Sequence, residues 1–131
     1  MANPGKGKQM GLWALKIVLA LVFLAAGGAK LAGAEYMVGI FHKIGIGQWF
    51  RIVTGICEVG GGILLLIPRT TFYGAALLTC VMLGAITTHL TVLGGNPAPA
   101  VVLFILSAFA AWLTRPFGAN SQLTGAPSGT P

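Results

Sequence analysis

Hydrophobic and polar positions alternate on a long scale along this chain: four apolar stretches at residues 11–34, 49–67, 71–93 and 98–113 are divided by short polar breaks. Crossing a hydrocarbon core of about 30 Å takes roughly 20 apolar residues as a helix, so these stretches predict four membrane spans. The last is short. At about 1.5 Å per residue it reaches only about 24 Å, so Trp112, Arg115 and Phe117 are expected to anchor its end. Pro68, Arg69 and Thr70 predict a tight turn between the second and third spans, and Gly94, Gly95, Asn96 and Pro97 a loop between the third and fourth. The fold expected is therefore all-α: a four-helix transmembrane bundle, up-down and antiparallel.

Three segments depart from the pattern. Residues 1–10 read as an N-terminal tail; Lys6 and Lys8 before an apolar run look like a signal peptide, but the run is too long for one and further spans follow. It reads as a retained first helix. Residues 35–48 carry Glu35, His42 and Lys43 beside Tyr36 and Phe41, a mixture suited to the membrane interface, in part helical and broken by Gly45 and Gly47. Residues 118–131 are small and polar with two prolines, which predicts a disordered tail. One membrane domain, residues 11–117, remains.

Composition supports that reading, with 56% of residues hydrophobic, only 8% charged and a mean hydropathy of +0.87. A soluble domain carries about a quarter of its residues charged. The formal charge of +6 arises from basic residues set singly near helix ends, which excludes a nucleic-acid surface and fits topology signals and lipid headgroup contacts. Lys6, Lys8, Lys16, Arg69 and Arg115 fall on one side; Lys43 and Arg51, offset by Glu35, fall on the other. The imbalance places both termini of this multi-pass membrane protein in the cytoplasm.

Candidate chemistry is confined to three ionisable residues inside the spans: Lys30, Glu58 and His89. Such groups are expensive in hydrocarbon and usually pair, face the bundle interior or line a path. Counted along the helices, Lys30 lies about 6 Å below the outer end, His89 at a similar depth, and Glu58 roughly 13 Å down. All three share the outer half. They predict a pocket opening outward, with Lys30, Glu58 and His89 as ligand-binding candidates beside Arg51, Thr54 and Thr88, and with Glu58 or His89 as the candidates for proton transfer. The plainer alternatives are a Lys30 that snorkels to the interface, a Glu58 held as a structural carboxyl, and a His89 that only packs. Ala25, Ala29 and Gly33 repeat at every fourth position as a ridge for a neighbouring helix or as ordinary scatter in an alanine-rich helix; Gly61, Gly62 and Gly84 are further candidates for close helix packing.

Metal is not expected, because one carboxylate and one histidine fall short of a zinc set. Haem ligation by His42 and His89 is unsupported by spacing, and Cys57 and Cys80 form no CxxC pair.

Gly27-x-x-Lys30 near the end of the first span, Glu58 followed by Gly61, Gly62 and Leu64 to Leu66, and Gly84-Ala85-x-x-x-His89 late in the third together resemble the DoxX and DoxX-like family of small bacterial membrane proteins, over about residues 15–113. The resemblance implies a four-helix membrane bundle, an association with respiratory or thiol-related oxidoreductase complexes, and polar positions at Lys30, Glu58 and His89. Some relatives are subunits of thiosulfate:quinone oxidoreductase. The resemblance leaves the cofactor open and admits a quinone or another apolar ligand, hydrogen-bonded by Glu58 or His89, in a bacterial inner membrane; the partners expected are membrane lipids and a larger membrane-protein complex. A non-enzymatic assembly factor or accessory subunit is the alternative, and a transporter without duplicated halves the remaining one.

Overall fold

The computed structural model describes residues 4–116. The described residues are helical, joined by short turns: α1 (Pro4–Ala32), α2 (Glu35–Ile44), α3 (Gln48–Leu66), α4 (Thr71–Thr88), extended without a break by a π-helical turn (His89–Leu93), and α5 (Ala98–Thr114). Three of them, α1, α3 and α4 with its π turn, are long and apolar enough to cross a membrane, and α5 is a shorter apolar helix.

Local chemistry sets the ends of these helices. α1 stops at Gly33, whose φ of 75° suits glycine; the Gly33 N–H donates to Lys30 O and the Ala34 N–H to Ala29 O, so the last carbonyls of the helix are used. The α3–α4 turn is closed by hydroxyls. Thr70 Oγ1 donates to Leu64 O at 2.9 Å and Thr71 Oγ1 to Leu65 O at 3.0 Å, satisfying α3 carbonyls that have no partner within their helix. At the other end Asn96 Oδ1 accepts from the Ala98 N–H at 3.0 Å and begins α5.

Packing runs in the ring order α1, α3, α4, α5, with a lighter α5–α1 contact closing it. α1 and α3 are antiparallel, since Gly27 meets Gly55 and Val59 while Ala20 and Leu24 meet Gly62. The small residues Ala20 and Gly27 on α1, and Gly55 and Gly62 on α3, are seven apart in each helix, so one face of each lets the backbones approach. α3 and α4 touch through Gly61 against Leu78 and Gly74 against Leu64 and Leu65. Leu19, Phe23, Leu65, Ala75, Leu78 and Ala110 fill the core between them, while Leu21, Ile56, Leu83, Ile105 and other large apolar side chains point outward.

Several expectations are corrected. α1 begins at Pro4, so residues 4–10 continue the helix instead of forming a tail; proline is well suited to a first helical turn. The third apolar stretch changes to π geometry at His89, whereas the interfacial segment is part helical as expected: α2, ended by Gly45. As the cost of unmade backbone bonds in lipid leads one to expect, α3 runs unbroken through the three glycines at 60–62. Phe117 and the predicted tail lie outside the described residues.

Candidate functional site

α2 lies across one end of the helix ring, and beneath it is a cavity of about 830 Å³. The apolar positions of α2, Met37, Ile40, Phe41 and Ile44, recur with helical period and form the cavity roof, while Glu35, Tyr36, His42 and Lys43 face away. The walls come from α3 (Phe50, Val53, Thr54, Cys57, Glu58) and α4 (Cys80, Leu83, Gly84, Thr87, Thr88), closed behind by Phe23 and Lys30 of α1 and Leu103 of α5. Val53 on α3 and Cys80, Leu83 and Thr87 on α4 are also exposed. The cavity therefore opens sideways, between α3 and α4. Deeper in the ring the two helices meet through Gly61 against Leu78 and Gly74 against Leu64 and Leu65.

Lys30 and Glu58 form the polar floor. Lys30 Nζ donates to Glu58 Oε1 at 2.7 Å, with the two side chains only 11% and 3% exposed. The pair exists because Gly27 and Gly55 bring α1 and α3 together one turn away: a Cβ on Gly27 would stand 2.9 Å from Gly55 O. Charge pairing in such surroundings offsets the cost of removing either charge from water. Glu58 Oε2 has no hydrogen-bonding partner among the described residues.

Thr88 and His89 stand nearer the rim. Thr88 Oγ1 donates to Ala85 O at 2.9 Å, and His89 Nδ1 lies 2.9 Å from the same carbonyl. A carbonyl oxygen only accepts, so Nδ1 carries the hydrogen and Nε2 is the unoccupied nitrogen. His89 is also where the helix widens: its carbonyl accepts from the Gly94 N–H at 3.0 Å, five residues on. Single π turns of this kind often occur at functional sites.

Arg51, a ligand-binding candidate in the sequence, does not line the cavity. Its guanidinium donates to Lys30 O at the end of α1 and, through Nε at 2.7 Å, to Gln48 Oε1, while Gln48 Nε2 donates to Val38 O of α2 at 3.1 Å. The residue thus ties together α1, α2 and α3, and its charge faces the negative end of the α1 dipole. Thr54 does line the cavity, with its hydroxyl donated to Phe50 O at 2.8 Å.

The packing candidates divide. Gly61 and Gly62 sit at tight contacts, the first with a Cβ position 2.7 Å from Leu78 and the second 3.2 Å from Leu24. Gly84 does not pack: a Cβ there would meet nothing within 4 Å, and the residue widens the cavity mouth. Ala25 is exposed, Ala29 is half-buried and Gly33 is the turn residue of α1, so that ridge makes no helix contact like the one at Gly27. Gly27, Gly55 and Gly74, the tightest backbone approaches, were not among the packing candidates; the seven-residue spacing of small residues on the first two spans was the signal available. Cys57 and Cys80 are free thiols on opposite sides of the opening. Among the described residues no group of three His, Cys, Asp or Glu side chains converges.

A model of the DoxX-like family matches residues 14–113, from the first apolar turns of α1 to the end of α5. No curated protein and no solved structure matches the chain.

Proposed function

The chain belongs to the DoxX-like family and is a small membrane protein, and from that premise we propose that it serves a quinone-linked or thiol-related oxidoreductase system, binding a quinone or another apolar ligand with a polar head beneath α2. The observation that carries this reading is the cavity itself, apolar on its walls with a few polar groups turned into it. Its volume falls within the roughly 300–1,000 Å³ typical of small-molecule sites. The sideways opening favours a ligand dissolved among lipid tails. Reduction of a quinone takes up protons, and Glu58 and His89 are protonatable groups on the cavity wall. Electrons would come from a redox partner in a larger complex.

In this reading α1, α3, α4 and α5 all span a bacterial cytoplasmic membrane as an up-down bundle with both termini inside. Lys6, Lys8, Arg69 and Arg115 gather at one end. At the α2 end Arg51 is turned inward and Glu35 offsets Lys43, so the basic excess favours the first end as cytoplasmic and the α2 end as external. Reagents that label a single cysteine only from outside the cell should reach position 43 and fail at position 69.

Binding is tested on the purified protein in lipid nanodiscs with a short-chain quinone. Wild type should bind it, and Gly84→Leu, which fills the cavity mouth, should weaken binding by about tenfold or more, since pocket filling displaces the ligand outright. Gly28→Leu, on the outer side of α1 where a Cβ meets nothing within 4 Å, should leave binding unchanged. Equal binding by all three proteins would sink the cavity as the site. The link to a quinone-dependent system fails separately if Glu58→Gln combined with His89→Gln leaves quinone-dependent respiration of the host membrane intact.

The second reading, an accessory subunit or assembly factor, is favoured by the outer side of α1, where Ala25 is exposed and Gly28 has no neighbour. It reverses the roles of the two variants: Gly28→Leu should abolish co-purification of a stoichiometric partner, and Gly84→Leu should not.

A further inference from the structure

The polar groups on the cavity wall differ in what they still have to offer a ligand. Thr54, Thr87 and Thr88 have each given their one hydroxyl hydrogen to their own helix, to Phe50 O at 2.8 Å, Leu83 O at 2.9 Å and Ala85 O at 2.9 Å. What remains on each oxygen is lone-pair density. His89 is constrained in the same way: with Nδ1 held by Ala85 O at 2.9 Å, the neutral ring presents Nε2 as an acceptor. Glu58 keeps Oε2 after giving Oε1 to Lys30. Only Lys30 Nζ retains N–H groups, and one of its three is already used. The wall is therefore rich in acceptors and has one strong donor group, beside the weakly donating thiols of Cys57 and Cys80.

A head that carries only carbonyl oxygens can accept a strong hydrogen bond from Lys30 and otherwise only weak ones from the Cys57 and Cys80 thiols. It would strip water from Glu58, Thr88 and His89 without replacing the hydrogen bonds, which is unfavourable for each group left unpaired. A hydroxyl both donates and accepts. It can give its hydrogen to Glu58 Oε2 or His89 Nε2 and still accept from Lys30.

We infer that the ligand of this cavity is an amphiphile whose head presents hydroxyl groups to Glu58 and His89 and whose apolar tail leaves through the gap between α3 and α4. The inference rests on the reading of the cavity as a binding site and narrows its ligand class. Within the quinone family it selects the hydroquinone over the quinone; a long-chain alcohol offers the same hydroxyl chemistry from a lipid source.

The test compares three probes on the whole protein in lipid nanodiscs under anaerobic, reducing or non-reducing conditions as each requires: a short-chain hydroquinone, the corresponding quinone and a saturated long-chain alcohol. The hydroquinone or the alcohol should bind at least about tenfold more tightly than the quinone, because sites built to pair a hydroxyl reject analogues that lack it. Tighter binding of the hydroquinone than of the alcohol assigns a redox carrier, and the reverse assigns a hydroxylated lipid; both support the inference. His89→Phe should narrow the preference for hydroxyl over carbonyl, and Thr88→Val should narrow it less, with folding of each variant checked by its unfolding midpoint. A quinone that binds as tightly as both the hydroquinone and the alcohol overturns the hydroxyl assignment and leaves the cavity reading standing. Binding of none of the three overturns both.

Discussion

The two ends of the helix ring use the same few residue types to opposite effect. At the α3–α4 turn, glycines are points of contact: a Cβ on Gly74 would stand 2.7 Å from Gly61 O, and Leu78 is seated on Gly61. Beneath α2, Gly84 touches nothing and contributes space. Hydroxyls divide likewise. Thr71 at the closed end bridges from α4 to a carbonyl of α3, whereas Thr54 and Thr88 at the open end bond back to their own helices and leave lone pairs toward the cavity. The closed end is held by packing, which lipid does not oppose; the open end adds to the Gly27–Gly55 contact of α1 and α3 an ion pair and the Arg51 bridge, which can hold helices in place while leaving room between α3 and α4.

The strongest way to break this division is at the floor of the open end. Glu58→Ala leaves Lys30 buried without a partner and should cost roughly 3–5 kcal/mol, as for a buried pair broken on one side. Lys30→Met together with Glu58→Leu should recover most of that loss. Unfolding midpoints in detergent decide it, and a double variant as unstable as the single would show that the pair is not what supports this half.

Next comes the glycine contrast. Gly74→Ala forces a Cβ into the backbone of α3 and should cost about 1–3 kcal/mol by overpacking. Gly84→Ala, with open space around it, should be neutral or gain up to about 1 kcal/mol from helix propensity. The same unfolding measurement separates them; similar losses at both positions would erase the distinction drawn between the two ends.

A smaller effect is expected from Arg51→Gln, which releases α1 and α2 from α3. Amide exchange in α2 should rise about tenfold, equivalent to roughly 1.4 kcal/mol of local opening, while exchange around Gly74 stays as in wild type. Smallest of all, Ser107→Ala removes a hydroxyl that is fully buried and has no hydrogen-bond partner within the described residues, one flaw in the closed core. Stability should be unchanged or higher by up to about 1 kcal/mol, since an unsatisfied buried group costs more than its absence.

Much of the site could be read along the chain because it depends on rarity. Lys30, Glu58 and His89 are conspicuous in apolar helices, and counting residues from the span ends placed them in one half of the molecule. The structure brings all three onto one cavity and joins Lys30 to Glu58 directly. Arg51 was equally conspicuous, yet its commitment to Lys30 O depends on the α1 carbonyl arriving beside it, which no count along α3 reveals. The packing glycines were harder still. α4 is apolar all round, so its sequence gives no sign of which face meets α3, and Gly74 and Gly84 are indistinguishable until the neighbours are in place.

The sequence by itself determined the apolar helices, their approximate limits and the identity of the ionisable groups within them, because apolar length and the cost of charge in hydrocarbon are properties of a single segment. The tertiary structure alone decided which glycines became contacts, where α3 and α4 part to form an opening, and which atoms of Glu58 and His89 remain free. In lipid the buried and the exposed faces of a helix are both apolar, so the pattern that marks the inside of a soluble protein is weak here, and only the relative rotation of the helices supplies it.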